Sequence, residues 1–411
     1  MGPRSGDGIG DAAAFLPYGR QVLDDEDIAA VVEVLRGDWL TTGPTVDAYE
    51  ERFRDLTGAA HAVACSSGTA GLHLAALASG IAPGDRVLVP AVTFLATANA
   101  VRFVGGEVVF ADVDADTGLM TPATAAAALA AATGPVTAVM PVHLTGQTVD
   151  LSTMGAVLDG RRLIEDACHA LGSRYPGMAG DDVAVGACPL GGITMFSSHP
   201  VKTIATGEGG MLTTNDGELA ALLRRLRNHG MTRDAGALTR PELAFDPVSG
   251  AVNPWYYEMA APGLNYRLSD LHAALGLSQL GKLPGFIAQR RALHAHYHAG
   301  LGALGPHIRP AGLAPKGVAA WHLAVALIDF DALGVTRAAV IDGLRARGIG
   351  SQVHYLPVPW QPYYRDRYGA GDYPGAAAYY RRILSLPLYP AMTIGDVDRV
   401  LDALDAVAHG R

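Results

Sequence analysis

Residues 61–78 read HAVACSSGTAGLHLAALA. A short apolar run ends at Cys65. Serines, a glycine and a threonine follow, and leucines then recur at helical spacing. This predicts a strand, a tight polar turn and a helix. The pattern continues outward to about residue 230. RVLVP (86–90), EVVFADV (107–113), TAVMPVH (137–143), RLIED (162–166), ITMFSS (193–198) and GMLTT (210–214) read as strands. TFLATANAVRFVG (93–105), a stretch near 150–159 and GELAALLRRLRNHG (217–230) read as helices. Strands alternating with helices specify an α/β fold, a mostly parallel sheet covered on both faces. Ligands of such sheets sit at the carboxyl ends of the strands.

Upstream, DDEDIAAVVEVLR (24–36) reads as an amphipathic helix with Ile28, Val31, Val32 and Leu35 on its apolar face. Beyond about 270 the texture changes. Residues 269–298 read as one long helix or two, with Pro284 as the expected break. HLAVALIDF (322–330) and SQVHYLP (351–357) read as strands, RAAVIDGLRARG (337–348) and VDRVLDALDAVA (397–408) as helices. The expected division is a tail over 1–14, a large domain over 15–268 and a smaller α+β domain over 269–411. Residues 241–267, rich in Pro, Gly and aromatics, form a long connection of the functional or interface kind.

Composition bounds the function. Of 411 residues, 49% are hydrophobic and 17% charged, which suits a large core rather than disorder. A net charge of −9 without a basic tract argues against nucleic-acid binding. Three cysteines, Cys65, Cys168 and Cys188, match neither a disulfide framework nor a zinc pattern, so a reducing cytoplasm is expected and no metal. Residues 1–14 lack the order of a signal peptide, and no apolar run reaches the ~18 residues of a membrane span.

Four segments carry candidate chemistry. Cys65–Ala70 puts small and hydroxyl residues at a helix N-terminus, where backbone N–H groups and the helix dipole favour an anion. A plain helix cap reads equally there. Ile164–His169 places acids at a strand end, either to hold a ligand cation or to cap a helix. Met195–Gly210 carries Lys202 in a small-residue loop. It is either a solvated lysine or, if desolvated, a carbonyl-trapping amine. Pro262–Asp270 precedes the long helix and otherwise reads as a loop with a serine cap. A phosphate cradle, an acid and a lysine on strand ends are what a pyridoxal phosphate site requires.

The series SSGTAGLHLA (66–75), TFLATANAV (93–101), PVHLTGQ (141–147), IEDACHALGS (164–173), FSSHPVKTIATGEGGML (196–212), LRNHGMTR (226–233) and GLNYRLSDLHAALGLSQL (263–280) resembles the DegT/DnrJ/EryC1/StrS sugar aminotransferases. The likeness runs from about Pro17 to the C-terminus. PYGRQ (17–21), HPVKT (199–203), PWYYEM (254–259), QVHYLPV (352–358) and QPYYR (361–365) are similar to the transaminases of pseudaminic acid biosynthesis. Those act on UDP-2-acetamido-2,6-dideoxy-β-L-arabino-hex-4-ulose.

The resemblance implies the aspartate-aminotransferase-like fold type I. It implies pyridoxal 5'-phosphate as cofactor, with the pyridoxamine form between half-reactions. Lys202 would be the Schiff-base lysine, and Asp166 would face the pyridinium nitrogen. His169 would lie near the phenolic oxygen and Phe94 would stack on the ring. Gly68, Thr69 and Ser197 would bind the phosphate. Asn265 would reach the cofactor phosphate of a neighbouring subunit, which implies a homodimer with a shared site. Tyr18, Trp39, Thr41, His229, His354 and Tyr355 would contact a nucleotide-linked keto-sugar, with glutamate as donor and 2-oxoglutarate as its product. Ser198, Cys168 and His272 depart from the family pattern and leave the sugar open, a dTDP-4-keto-6-deoxyhexose being the other candidate. A dehydratase of this group would carry His in place of Lys202. A non-enzymatic sensor on the same scaffold is a further alternative. A nicotinamide oxidoreductase lacks its G-x-G-x-x-G turn here.

Overall fold

The computed structural model describes residues 14–176 and 182–411, so the tail expected over 1–14 lies outside the described residues except for Ala14. The large sheet has seven strands: β1 (His61–Cys65), β2 (Arg86–Pro90), β3 (Glu107–Ala111), β4 (Ala138–Val139), β5 (Arg162–Asp166), β6 (Ile193–Ser197) and β7 (Gly210–Thr214). Their spatial order is β1-β7-β6-β5-β4-β2-β3. Only β7 runs against the rest, antiparallel to both β1 and β6.

Successive residues of each strand feed opposite cores, as the two-residue period of a strand requires. Val63, Val87, Val89, Ile164, Met195 and Leu212 join one cluster. There they meet helices α3 (Gly68–Ala78), α4 (Leu95–Phe103) and α5 (Gly217–Leu226). Ala62, Leu88, Val139, Leu163, Phe196 and Met211 join the other, with Tyr49 and Phe53 of the helix at Pro44–Thr57. Burial on both faces is why these strands read as continuous apolar runs. At about 1.5–3 kcal/mol per fully buried large aliphatic or aromatic side chain, the two layers fix the sheet and hence its strand ends.

The C-terminal part builds a three-stranded antiparallel sheet, β8 (Ile308–Pro310), β9 (Ala324–Ile328) and β10 (Ile383–Leu386). It packs around a third core with α7 (Arg337–Ala346), α8 (Ile394–Ala408) and the end of α6 (Asp270–Ala303).

Three expectations are corrected. Helix α6 runs unbroken through Pro284. The proline forfeits one backbone hydrogen bond, but buried Leu280, Leu283, Leu293 and Tyr297 on both sides anchor the helix to the core. SQVHYLP forms no strand; one bridge, Gln352 to Ser385, ties it to β10 while its side chains turn to a cavity. The helix at Asp25–Arg36 forms, yet Ile28 and Leu35 are each 56% exposed while Asp27 is buried. The packed face sets buried Asp27 beside half-buried Ala30, Val31 and Val34. Asp27 accepts from Gln279 Nε2 at 2.8 Å and pairs with Lys282 Nζ at 2.9 Å, both on α6.

Candidate active site

The carboxyl ends of β1, β5 and β6 open into a cavity of about 750 Å3. Of the residues singled out above, Tyr18, Gly68, Thr69, Phe94, Asp166, His169, Ser197, Lys202, His354 and Tyr355 line it. Trp39, Thr41, His229 and Asn265 do not; all four are exposed. Backbone bonds gather these four on one stretch of surface. Thr41 bridges Ser269, Asn228 bridges Asn265, and the His229 N–H donates to Leu264 O at 2.9 Å.

The β1–α3 turn satisfies both readings of its sequence. Ser67 caps the helix, its Oγ accepting from the Ala70 N–H at 3.1 Å. Among the described residues, the N–H groups of Gly68 and Thr69 bond to no protein acceptor. They are the orphan donors of a helix N-terminus, turned into the cavity beside Ser197. A side chain at Gly68 would crowd Ser197: a Cβ there meets its Oγ at 3.1 Å. The closeness of helix and strand favours glycine, since the serine would have to give by a few tenths of an ångström.

Asp166 ends β5 and is buried. Its carboxylate is held from two directions, by Thr97 Oγ1 at 2.7 Å and by the Cys168 N–H at 3.2 Å. The Thr97 proton goes to Asp166, so Thr93 is the donor in the 2.7 Å contact between the two threonines. The adjacent Glu165 points the other way, into the core. There it accepts from Thr194 Oγ1 at 2.9 Å and His143 Nε2 at 2.9 Å. One residue along the strand thus separates a structural acid from the cavity acid.

Lys202 sits in the loop between β6 and β7. Ser198 N–H to Gly209 O at 3.0 Å, Thr206 N–H to Ser198 O at 2.9 Å and a 2.6 Å contact between the Ser198 and Thr206 hydroxyls close this loop. Ser198 is therefore buried in the loop's closure and does not line the cavity. Burial holds the Lys202 ammonium below its ordinary pKa, against the opposing pull of Cys168 and Asp166. Burial, reinforced by Lys202, keeps His169 neutral, and burial pushes His354 down to about 3. The basin thus joins anion-binding N–H groups, a hydrogen-bonded carboxylate and an amine shifted toward its nucleophilic form.

The sequence model of the DegT/DnrJ/EryC1/StrS aminotransferase family matches residues 21–405. The chain belongs to this family. The spore coat polysaccharide biosynthesis protein SpsC of Bacillus subtilis (strain 168) is 39% identical over 401 residues, covering 96% of this chain and 98% of SpsC. The PLP form of the putative sugar aminotransferase Spr1654 from Streptococcus pneumoniae superposes with a TM-score of 0.82 at 27% identity, over 96% of this chain and 99% of that one. Helicobacter pylori PseC, an aminotransferase involved in pseudaminic acid biosynthesis, gives a TM-score of 0.84 at 26% identity, over 97% and 100%. The protein is a pyridoxal-phosphate-dependent sugar-nucleotide aminotransferase of the α/β fold its sequence indicated.

The DegT/DnrJ/EryC1/StrS fold also brings in residues that sequence reading did not single out. Thr93, His322, Gln352 and Val353 line the cavity, and Thr97 stands behind Asp166. For Thr97, inside a helix, and His322, at the head of an apolar strand, the sequence carried no signal. Among the described residues no cluster of His, Cys, Asp or Glu is arranged for a metal, and no helix is long and apolar enough to cross a membrane.

Proposed function

We propose that this enzyme converts the C4 ketone of a nucleotide-linked 4-keto-6-deoxyhexose into an amine, with glutamate as donor. The UDP-2-acetamido-2,6-dideoxy-β-L-arabino-hex-4-ulose of pseudaminic acid synthesis is the favoured substrate. The observation that carries the reading is the meeting of Lys202, Asp166 and the free N–H groups of Gly68 and Thr69 in one cavity. These residues fit pyridoxal phosphate, whose bound ring supplies the electron sink that lets a proton leave the nitrogen-bearing carbon.

The protein's own work is positional and protonic. Gly68, Thr69 and Ser197 hold the phosphate. Thr97 and the Cys168 N–H hold the Asp166 carboxylate in place, where it would stabilise positive charge on the ring nitrogen. Phe94 lines the cavity where it would cover a ring face. Lys202 would hold the cofactor through its amine and, when free, would be the base and then the acid that moves a proton at the substrate carbon. Its depressed pKa raises the fraction able to accept.

The assembly in this reading is a homodimer with shared sites. Asn265, His229, Trp39 and Thr41 occupy connected surface outside the cavity. Ile28, Leu35, Trp39 and Leu40 expose apolar area nearby in the sequence. A second copy covering this surface would bury that area and bring the four residues to its own cavity. Three cysteines without disulfide partners suit a cytoplasmic setting.

Substrate choice is tested by incubating the loaded enzyme with glutamate and either the UDP-linked or a dTDP-linked keto-sugar. The reading expects an amino-sugar product from the UDP compound at the higher kcat/KM. A preference for the dTDP compound would transfer the enzyme to secondary metabolism.

A further inference from the structure

His322, just before β9, is buried and lines the cavity. Its backbone is pinned from two sides. The His322 N–H donates to Thr145 O at 2.8 Å, and its carbonyl accepts from Arg290 Nη1 at 3.3 Å. The same Nη1 donates to Leu388 O at 2.8 Å. The His322 ring packs on His169 with centroids 4.3 Å apart. Its Nδ1 is enclosed and, among the described residues, has no hydrogen-bond partner. Burial foremost, then the neighbouring His169, Lys202 and Arg290, keeps the ring uncharged. A proton on Nδ1 would be a buried donor without an acceptor, which is costly. The single ring proton therefore belongs on Nε2, the polar atom that a ligand in the cavity can satisfy.

The charges that bear on this N–H are positive. Arg290 is 1% exposed, and among the described residues its guanidinium meets two carbonyls and no carboxylate. Its Nε and Nη2 have no partner. Burial lowers its pKa to about 10, which leaves it a cation at neutral pH. Lys202 is the other cation acting on the His322 ring. The Asp166 charge acts instead on Lys202, Cys168 and Tyr355, and its carboxylate already accepts from Thr97 and the Cys168 N–H. Glu208 also lines the cavity but is exposed to solvent. A buried N–H backed by two cations suits an anion.

In the aminotransferase reading, the reacting carbon of each substrate must come to Lys202. In the keto-sugar the phosphates are joined on the far side of the sugar ring from that carbon. In the amino donor a carboxylate is bonded directly to it. An anion held deep beside Lys202 is therefore the donor's. We propose that His322 binds the α-carboxylate of the amino donor through Nε2–H, and that Arg290 is the positioning residue that fixes His322 and supplies positive charge behind it. The inference rests on the glutamate-donor reading above.

The test uses the cofactor-loaded enzyme. 2-Oxoglutarate carries the donor's carboxylates and has no amine to give, so calorimetry on the pyridoxal form reads its binding alone. His322→Phe keeps a ring against His169 and removes the N–H. It should weaken 2-oxoglutarate by roughly ten- to a hundredfold, the scale of a lost hydrogen bond to a charged group. The glutamate concentration that half-saturates fading of the cofactor band should rise by the same factor. Keto-sugar binding and the band itself should stay as in wild type. His322→Gln, whose amide N–H stands near the lost Nε2–H, should recover most of the affinity. Arg290→Gln, which removes the charge, should weaken 2-oxoglutarate and spare the keto-sugar. Wild-type 2-oxoglutarate affinity in His322→Phe, an equal loss for the keto-sugar, or no recovery in His322→Gln would each overturn the proposal. A lower Tm with unchanged 2-oxoglutarate binding in Arg290→Gln would overturn the part given to Arg290. A wild type whose band does not fade with glutamate would overturn the donor reading itself. A normal glutamate response in His322→Phe beside a competent wild type would leave that reading standing.

Discussion

The Asp166 carboxylate shows how much of this site lies one contact behind the cavity. Thr97 donates to it from the first turn of α4, and Thr93 donates to Thr97. Hydrogen bonds to ionised groups contribute about 1.5–3 kcal/mol. Thr97→Val, which keeps the shape and removes the donor, should therefore weaken pyridoxal phosphate binding by on the order of tenfold in an absorbance titration. A purely structural threonine would lower Tm and leave that affinity alone. Lys202, Asp166, His169 and the Gly68–Thr69 pair were legible because each follows a strand-like run in a loop of small residues. Thr97 and His322 were not. A threonine inside a helix and a histidine opening a buried strand look like ordinary packing until the fold sets them against Asp166 and His169.

At the scale of elements, alternating apolar runs located all seven strands of the large sheet, because burial on both faces leaves a strong signal. Single-faced elements were harder. SQVHYLP carries β-type residues, yet its neighbours are a cavity and one bridge to β10. The helix at 25–36 has the right period but is rotated from the expected face, since Asp27 finds Lys282 and Gln279 inside beside half-buried Val31 and Val34 while Ile28 and Leu35 face outward. That rotation gives a prediction. If the proposed second copy covers this face, Ile28→Asp with Leu35→Asp should give a monomer in light scattering while the far-UV circular dichroism stays intact. An unchanged mass would place the partner elsewhere. The β1–α3 turn gives another. Gly68→Ala would push a methyl to 3.1 Å from Ser197 Oγ, so cofactor affinity should fall several-fold while Tm moves little.

For the whole molecule, two properties follow from how the site is assembled. The first is acid lability. His354 titrates near 3 when folded against an ordinary 6.5, so between those values the unfolded chain binds the extra proton. Stability therefore falls as pH drops below about 6.5. This one group costs roughly 2 kcal/mol by pH 5, and buried His169 and His322 act in the same direction. Tm measured from pH 7.5 to 4.5 should decline, and His354→Phe should decline less steeply. The second belongs to the proposed homodimer, whose subunits would share their sites. If Asn265 serves the partner's cavity, mixing Lys202→Ala chains with Asn265→Ala chains creates hybrids in which one site carries both defects and the other none. Activity should then exceed that of either variant alone; if Asn265 acts within its own chain, mixing gains nothing.

The most direct measurement is the visible spectrum of the pyridoxal-phosphate-saturated protein, followed through sequential addition of glutamate and the UDP-linked keto-sugar. A band that depends on Lys202, fades with glutamate and returns with the keto-sugar is the predicted result, since it shows the linkage, the donor and the acceptor in one cuvette. A protein that forms no band, or whose Lys202→Ala variant cycles at the wild-type rate, would contradict the account.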